Sequence, residues 1–242
     1  LWDFCRARWE KLGYEIIECD SGQEPFTRGT SINRGVDEAS HETLVIADAD
    51  TFVSEVRGAV ALIEQNIAPW VIDYGLWRYY RVSPAATADY LSGKATTRDD
   101  PYGPDRLESC VSYSGCVVLG RETFLSVGGF PETLLGWGYE DNCLQHALDT
   151  LVGAHVRTNA FAVQLYHHHV EAERFQQPFI VQNRLVSDRY AAATGNPEIM
   201  RAVILNQWAP ELVPGHTLTP HILSDPPAWE GLMRERREKA RG

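Results

Sequence analysis

The spacing of apolar positions divides the chain into helical and extended segments that alternate along its length. Trp2 to Leu12 repeats its apolar residues at the spacing of an amphipathic helix, and Gly13 separates it from Tyr14 to Cys19, a short strand candidate. After a stretch of mixed polarity, Ser31 to Ala39 reads as a helix that leads into Thr43 to Ala47 (TLVIA), an apolar run of the kind found in a buried strand. That run ends in Asp48-Ala49-Asp50, and Ser54 is placed to cap a helix continuing to Asn66. Trp70 to Asp73 is a third strand candidate. Trp77, Tyr79 and Tyr80 follow, candidates to line a ligand groove, although aromatic residues in a strand are usually core. Ala85 to Leu91 is helical in pattern, and the Gly, Pro, Thr and Asp of residues 92–109 mark a loop. Beyond it come a strand at Cys116 to Leu119, a short helix at Glu122 to Val127 stopped by Gly128-Gly129, and a helix at Glu140 to Leu151. A strand at Ala160 to Leu165 runs into three histidines, and helical segments near 172–193 and 198–207 close the pattern.

Strands alternating with helices predict an α/β fold with a mostly parallel sheet flanked by helices on both faces. No repeat or clear linker divides the 242 residues, so the expectation is a single domain. Leu1 is not a start methionine, and a helix comes first where an α/β domain normally begins with a strand. A first strand is therefore expected upstream of Leu1.

Composition narrows the partners. The formal net charge of -11 repels nucleic acid backbones and anionic membranes, and the one dense basic run, Arg234 to Arg241, is interrupted by Glu235 and Glu238 as in a solvated helix. No nucleic acid partner is expected. The five cysteines are odd in number and lack CxxC spacing, which favours free thiols in a reducing compartment; a Cys110–Cys116 bridge remains the alternative. There is no apolar run long enough for a transmembrane span and no basic signal peptide, so the expected location is cytoplasmic.

Three groups of residues carry candidate chemistry. Asp48 and Asp50 follow a strand at the end where open α/β sheets bind ligands, and a continued two-residue period would put both side chains on one side. Two hard oxygen donors suit Mg²⁺ or Mn²⁺, ions that also bind phosphate oxygens and offset charge on a departing diphosphate. Acids after strands are also ordinary turn and cap residues, so this pair needs context. In the second group, the turn Gly136-Trp137-Gly138-Tyr139 delivers Glu140 and Asp141 to a helix N-terminus, where acids are favoured as caps. The chemical alternative is a carboxylate that takes a proton from an acceptor hydroxyl. The third is His167-His168-His169 at a strand exit. Histidine suits Mn²⁺ as well as zinc, and a persisting strand period would put His167 and His169 on one side. A polar strand end is the plainer reading of that triplet.

Taken together and in order, these segments resemble the GT-A-type glycosyltransferases, above all the animal β-1,4-galactosyltransferases and related N-acetylgalactosaminyltransferases. Phe26-Thr27-Arg28-Gly29-Thr30-Ser31-Ile32-Asn33 is similar to the family's FNRA-type segment, Leu44 to Asp50 to its strand and DxD motif, and Gly128 to Asn142 to its GGF…WGxED signature. The resemblance implies a GT-A fold with residues 1–110 mainly binding nucleotide and donor, 111–210 mainly acceptor and catalytic, and 211–242 as a C-terminal extension. It further implies Mn²⁺ or Mg²⁺ held by Asp50 with His167 and His169. Donor contacts would come from Phe26, Arg28, Asp48, Gly115, Trp137 and Gly138. Asp141 would act as the base, with Glu140 on sugar hydroxyls. The expected reaction is inverting transfer from a nucleotide-diphosphate sugar, UDP-sugar favoured, to a carbohydrate, glycoconjugate or protein hydroxyl. Tyr139 stands where the galactosyltransferases carry glycine, and Asn142 where they carry a further acid, so sugar specificity does not transfer. Retaining relatives have Asn in place of the base, and Asp141 thus favours inversion. The readings left open are a retaining transferase, a nucleotidyltransferase (for which a Gly-rich triphosphate loop is missing) and a non-catalytic sugar-binding domain.

Overall fold

The unbroken apolar run at Thr43–Ala47 forms strand β1, followed after a tight turn by β2 (Thr51–Val53). Both belong to a computed structural model that describes residues 1–95, 106–110, 112–136, 138–167, 178–208 and 225–240. The chain divides into two units, each assembled from three segments: Leu1–Ile17, Thr43–Gly120 and His155–Val170 make the first, and Glu18–Glu42, Arg121–Ala154 and Glu171–Gly242 the second.

The first unit holds all of the named strands. These are β1, β2, β3 (Trp70–Ile72), β4 (Tyr79–Val82), β5 (Arg106–Cys110), β6 (Cys116–Gly120), β7 (Val156–Arg157) and β8 (Ala162–Gln164). They form two four-stranded sheets, ordered β1-β6-β3-β7 and β2-β8-β4-β5. Helices α1 (Trp2–Glu10), α3 (Arg57–Glu64) and α4 (Pro84–Leu91) complete the unit. Helix α4 starts where Ser83 Oγ accepts the Ala86 N–H at 3.1 Å and Pro84 occupies the first turn, two features that favour a helix N-terminus. Phe52, Tyr80, Val82, Tyr90, Phe161, Val163 and Leu165 pack with Cys5 of α1 into the core beside the second sheet.

The expected mostly parallel sheet is not what forms. Of the pairings, β1–β6, β3–β6, β2–β8 and β4–β5 are antiparallel, while β3–β7 and β4–β8 are parallel. The strand pattern reports burial and period but carries no direction. β6 returns between β1 and β3 and runs against both, so the alternation of helices and strands overstates the number of parallel crossovers. TLVIA is also less buried than its composition suggests. Only Leu44 is fully covered, because β1 lies at the sheet edge.

Further departures are local. Tyr14 to Cys19 forms no strand, and the loop assigned to 92–109 includes β5 at its far end. Ser54 does not cap α3; its Oγ accepts the Phe161 N–H at 3.1 Å, and Glu55 Oε1 takes the Arg57 and Gly58 N–H groups instead. Cys116 is a free, buried thiol, which removes the Cys110–Cys116 bridge, and Cys5, Cys19 and Cys143 are free as well.

The second unit is helical: α2 (Arg28–Glu38), α5 (Arg121–Ser126), α6 (Glu140–Leu151), α7 (Ile180–Ala193), α8 (Pro197–Trp208) and α9 (Pro226–Ala240). Cys143, Leu144, Ala147 and Leu148 recur at helical spacing on α6 and are buried, which explains why it packs on α7 and α8. Helix α9 lies within the predicted C-terminal extension; the indole N–H of its Trp229 donates to the Ser126 carbonyl of α5 at 2.7 Å. No helix among the described residues is long and apolar enough to cross a membrane.

Candidate functional site

In the first unit, the turn between β1 and β2 carries the acidic pair. The Thr51 N–H donates to the Asp48 carbonyl at 3.1 Å, closing the turn over Ala49 and Asp50. The two-residue strand period therefore stops at Ala47, and the expected shared side of Asp48 and Asp50 does not follow from it. The Asp48 N–H donates to the Gly115 carbonyl at 3.2 Å, which ties this turn to the entry of β6. Gly115 is buried at φ +89°, and a Cβ there would lie 2.4 Å from Tyr79 Cε2, so no other residue fits without moving that ring. Burial, with Asp48 as the next contributor, pushes the Tyr79 phenol well above its ordinary value. Its oxygen lies 3.3 Å from Thr51 Oγ1.

Asp50 sits in a set of polar contacts. Its Oδ1 accepts from Thr51 Oγ1 at 3.1 Å, and its Oδ2 accepts from Gln164 Nε2 at 3.0 Å. His167 Nε2 is 2.8 Å from the same Oδ2. The antiparallel register of β2 and β8 pairs Thr51 with Gln164, and the Leu165 N–H donates to the Asp50 carbonyl at 2.9 Å. This sheet pairing brings the end of β8, and hence His167, to Asp50. The strand period ends at Gln164, before the histidines. His168 and His169 lie outside the described residues. Among those described, no group of three or more His, Cys, Asp or Glu is placed to hold an ion.

A further carboxylate in this unit, Asp73, is only a strand end in the sequence pattern. Asp73 is fully buried after β3, and burial pushes its carboxyl up to about 7. Thr158 Oγ1 donates to its Oδ1 at 2.9 Å, while Oδ2 has no hydrogen-bond partner among the described residues.

In the second unit, two of the sequence segments lie against each other. Thr27 bridges Gly136 as a parallel β-bridge, and the Gly136 N–H donates to the Phe26 carbonyl at 3.1 Å. A Cβ on Gly29 would come within 2.9 Å of the Pro131 carbonyl oxygen, so α2 approaches the Phe130-Pro131 backbone as only glycine permits. Asn33 completes the join. Its Nδ2 donates to the Phe130 carbonyl at 3.0 Å and to Glu132 Oε1 at 2.7 Å, and its Oδ1 accepts the Phe130 N–H at 3.0 Å.

This join sets Arg28, the first residue of α2, beside the acids that open α6. Arg28 Nη1 forms an ion pair with Asp141 Oδ1 and lies 3.9 Å from Glu140 Oε1, while its guanidinium stacks over the Phe130 ring at 5.3 Å. Glu140 is buried, and its Oε2 accepts the Gly138 N–H at 3.0 Å. Tyr139 precedes α6 at φ +75°, a left-handed conformation that glycine adopts without strain. Phe26 is exposed, and Trp137 lies outside the described residues. The sequence reading missed Thr51 and Gln164 around Asp50, because both depend on the β2–β8 register. It also missed the Arg28–Asp141 pair, whose members stand far apart in the chain.

A family model described as the N-terminal domain of galactosyltransferase matches residues 99–169. That stretch includes Gly115, Gly138, Glu140, Asp141 and His167 and excludes Phe26, Arg28, Asp48 and Asp50. Comparison with curated proteins gives no match. Over that stretch the match points to distant homology with glycosyltransferase-like domains, and the α/β architecture with mixed sheets is broadly consistent with them.

Proposed function

We propose that this chain is a GT-A-type glycosyltransferase that moves a sugar from a nucleotide-diphosphate donor, UDP-sugar favoured, to an acceptor hydroxyl with inversion, using Mn²⁺ or Mg²⁺. The observation that carries this reading is the 2.8 Å approach of His167 to Asp50 at a strand end, within a chain matched in part by a galactosyltransferase family model. A carboxylate oxygen beside an imidazole nitrogen is a donor set that fits Mn²⁺, and such ions take their remaining ligands from phosphate oxygens and water. Asp50 and His167 would hold the ion, with His169 as a further ligand. When bound, the ion offsets the negative charge that develops on the leaving diphosphate.

The protein's own residues do the rest. Asp48 and Gly115 face the donor, with Phe26, Trp137 and Gly138 as further donor contacts. Asp141 accepts the proton of the acceptor hydroxyl as that oxygen bonds to the anomeric carbon. The bond from this carbon to the diphosphate oxygen breaks, and its electron pair leaves with the nucleotide. Glu140, fixed by the Gly138 N–H, holds sugar hydroxyls. The Arg28–Asp141 pair supports an orienting role for Arg28 in addition to its expected nucleotide contact.

Asp141→Asn tests the reading. Transfer, followed by mass spectrometry of the product with a panel of nucleotide-sugars and Mn²⁺, should be abolished while donor binding by calorimetry persists. Unimpaired transfer by this variant refutes Asp141 as the base.

A further inference from the structure

Trp77, in the turn before β4, and Tyr79 and Tyr80, which open that strand, share one stretch of sequence but not one fate. Tyr79 and Tyr80 are core residues, whereas Trp77 is 59% exposed and its neighbour Leu76 57% exposed. Trp77 is also strained. Its φ is +63°, and the Arg78 N–H donates to the Gly75 carbonyl at 3.0 Å, so Trp77 occupies the third position of a tight turn. A positive φ at that position alone is the type II pattern, which calls for glycine or asparagine. A bulky residue there costs about 1–2 kcal/mol. The turn is anchored on both sides: the Gly75 N–H donates to the Ala160 carbonyl at 3.0 Å, and the Ala162 N–H to the Arg78 carbonyl at 2.9 Å. The indole is mostly exposed on a backbone that disfavours it, and strained positions of this kind cluster at active sites and ligand clamps.

We propose that the Leu76–Trp77 turn is a carbohydrate-binding platform that takes the apolar face of a pyranose in the acceptor. This inference rests on the glycosyl-transfer reading above. The chemistry fits because the C–H bonds on one face of a pyranose meet the electron-rich face of an indole, and the rigid ring loses little entropy on binding. Size argues the same way. Two exposed side chains on one turn cover one sugar ring, while a stable protein interface needs about 800 Å² on each partner.

The position adds a second element. Strand β8 leads from the anchor of this turn at Ala162 toward His167, five residues further on, and an extended chain of that length spans at most about 17 Å. A short oligosaccharide acceptor covers a span of that length, so one acceptor chain can reach both the turn and the end of β8.

Trp77→Gly is the informative variant, because glycine adopts the observed φ without strain and removes only the platform. Binding would be read from the Trp77 indole N–H signal by NMR. The probes are tri- and tetrasaccharides of glucose, galactose, N-acetylglucosamine and xylose, each with its monosaccharide. The platform predicts a shift of that signal with at least one oligosaccharide and a weaker effect of the monosaccharide. In transfer assays, Trp77→Gly should raise KM for the oligosaccharide acceptor about tenfold, leave kcat and donor hydrolysis unchanged, and keep the melting temperature at or above wild type. Trp77→Tyr should restore part of the affinity. Transfer by the wild type with no indole shift and no change in Trp77→Gly overturns the platform and leaves the transferase reading standing. An indole shift without transfer supports the platform and counts against the transferase. Neither signal overturns both.

Discussion

Asp73→Asn should make the protein more stable at neutral pH and leave it nearly unchanged in acid. Asp73 is fully buried, its Oδ1 accepts from Thr158 Oγ1 at 2.9 Å, and its Oδ2 has no hydrogen-bond partner among the described residues. Burial raises its carboxyl from 3.8 to about 7; the Thr158 bond opposes that shift and the charge of Glu55 adds to it. In the unfolded chain the group loses its proton near 3.8, while in the folded chain it keeps the proton until about 7. Between these pH values the folded state binds more protons, so stability falls as pH rises and levels off above the folded value. At about 1.4 kcal/mol per pH unit, the interval amounts to about 4 kcal/mol.

Asparagine keeps the size of the side chain and an acceptor for Thr158, and it cannot ionise. Urea unfolding of both proteins from pH 4 to pH 8, followed by tryptophan fluorescence, isolates this group because titrations that do not sense residue 73 cancel in the difference. The expected difference is near zero at pH 4 and grows to about 4 kcal/mol in favour of Asn by pH 8. A difference that stays flat across this range refutes the reasoning, since it would mean that the carboxyl ionises as readily in the core as in water.

Other perturbations test the two clusters. Arg28→Gln should lower kcat by about a hundredfold through loss of carboxylate positioning. A rise confined to the donor KM would instead mark Arg28 as a nucleotide contact alone. Gly115→Ala should destabilise the fold by about 3 kcal/mol by calorimetry, since a new Cβ lies 2.4 Å from Tyr79 Cε2 at a backbone φ of +89°; an unchanged melting temperature would contradict this. Asp50→Asn, or chelation of the wild type, should abolish transfer and saturable Mn²⁺ uptake in the presence of UDP, measured by calorimetry. Full activity in chelator would remove the metal from the proposal.

Much of the element order was legible because it depends on local chemistry. Ala85 to Leu91 is followed by the structure to within a residue, as the helix from Pro84 to Leu91, and Glu140 to Leu151 without change, because apolar period and cap residues act within a few positions. Strand direction was not legible. Nothing in Cys116 to Leu119 says that β6 will run against both β1 and β3, since that is decided by where the chain returns. The failure at Tyr14 to Cys19 has a related cause, for no neighbouring strand pairs with it among the described residues.

The candidate site shows a different limit. Thr27, Gly29 and Asn33 belong to the segment similar to the FNRA type, and each has a structural task in the second unit. Gly29 admits the Pro131 carbonyl, Asn33 exchanges hydrogen bonds with Phe130, and Thr27 bridges Gly136. The two segments would need to occur together for packing alone, so their joint presence is weaker evidence for catalysis than for this local fold. Arg28 breaks the tie. A helix N-terminus disfavours a cation, and a guanidinium at the first position of α2 serves no cap. Its partner Asp141 and the nearby buried Glu140 offset that cost. Both acids also suit the N-terminus of α6, and Glu140 accepts the Gly138 N–H, so it is the guanidinium brought to them from a distant segment, more than the acids or the motif around them, on which the enzymatic reading stands or falls.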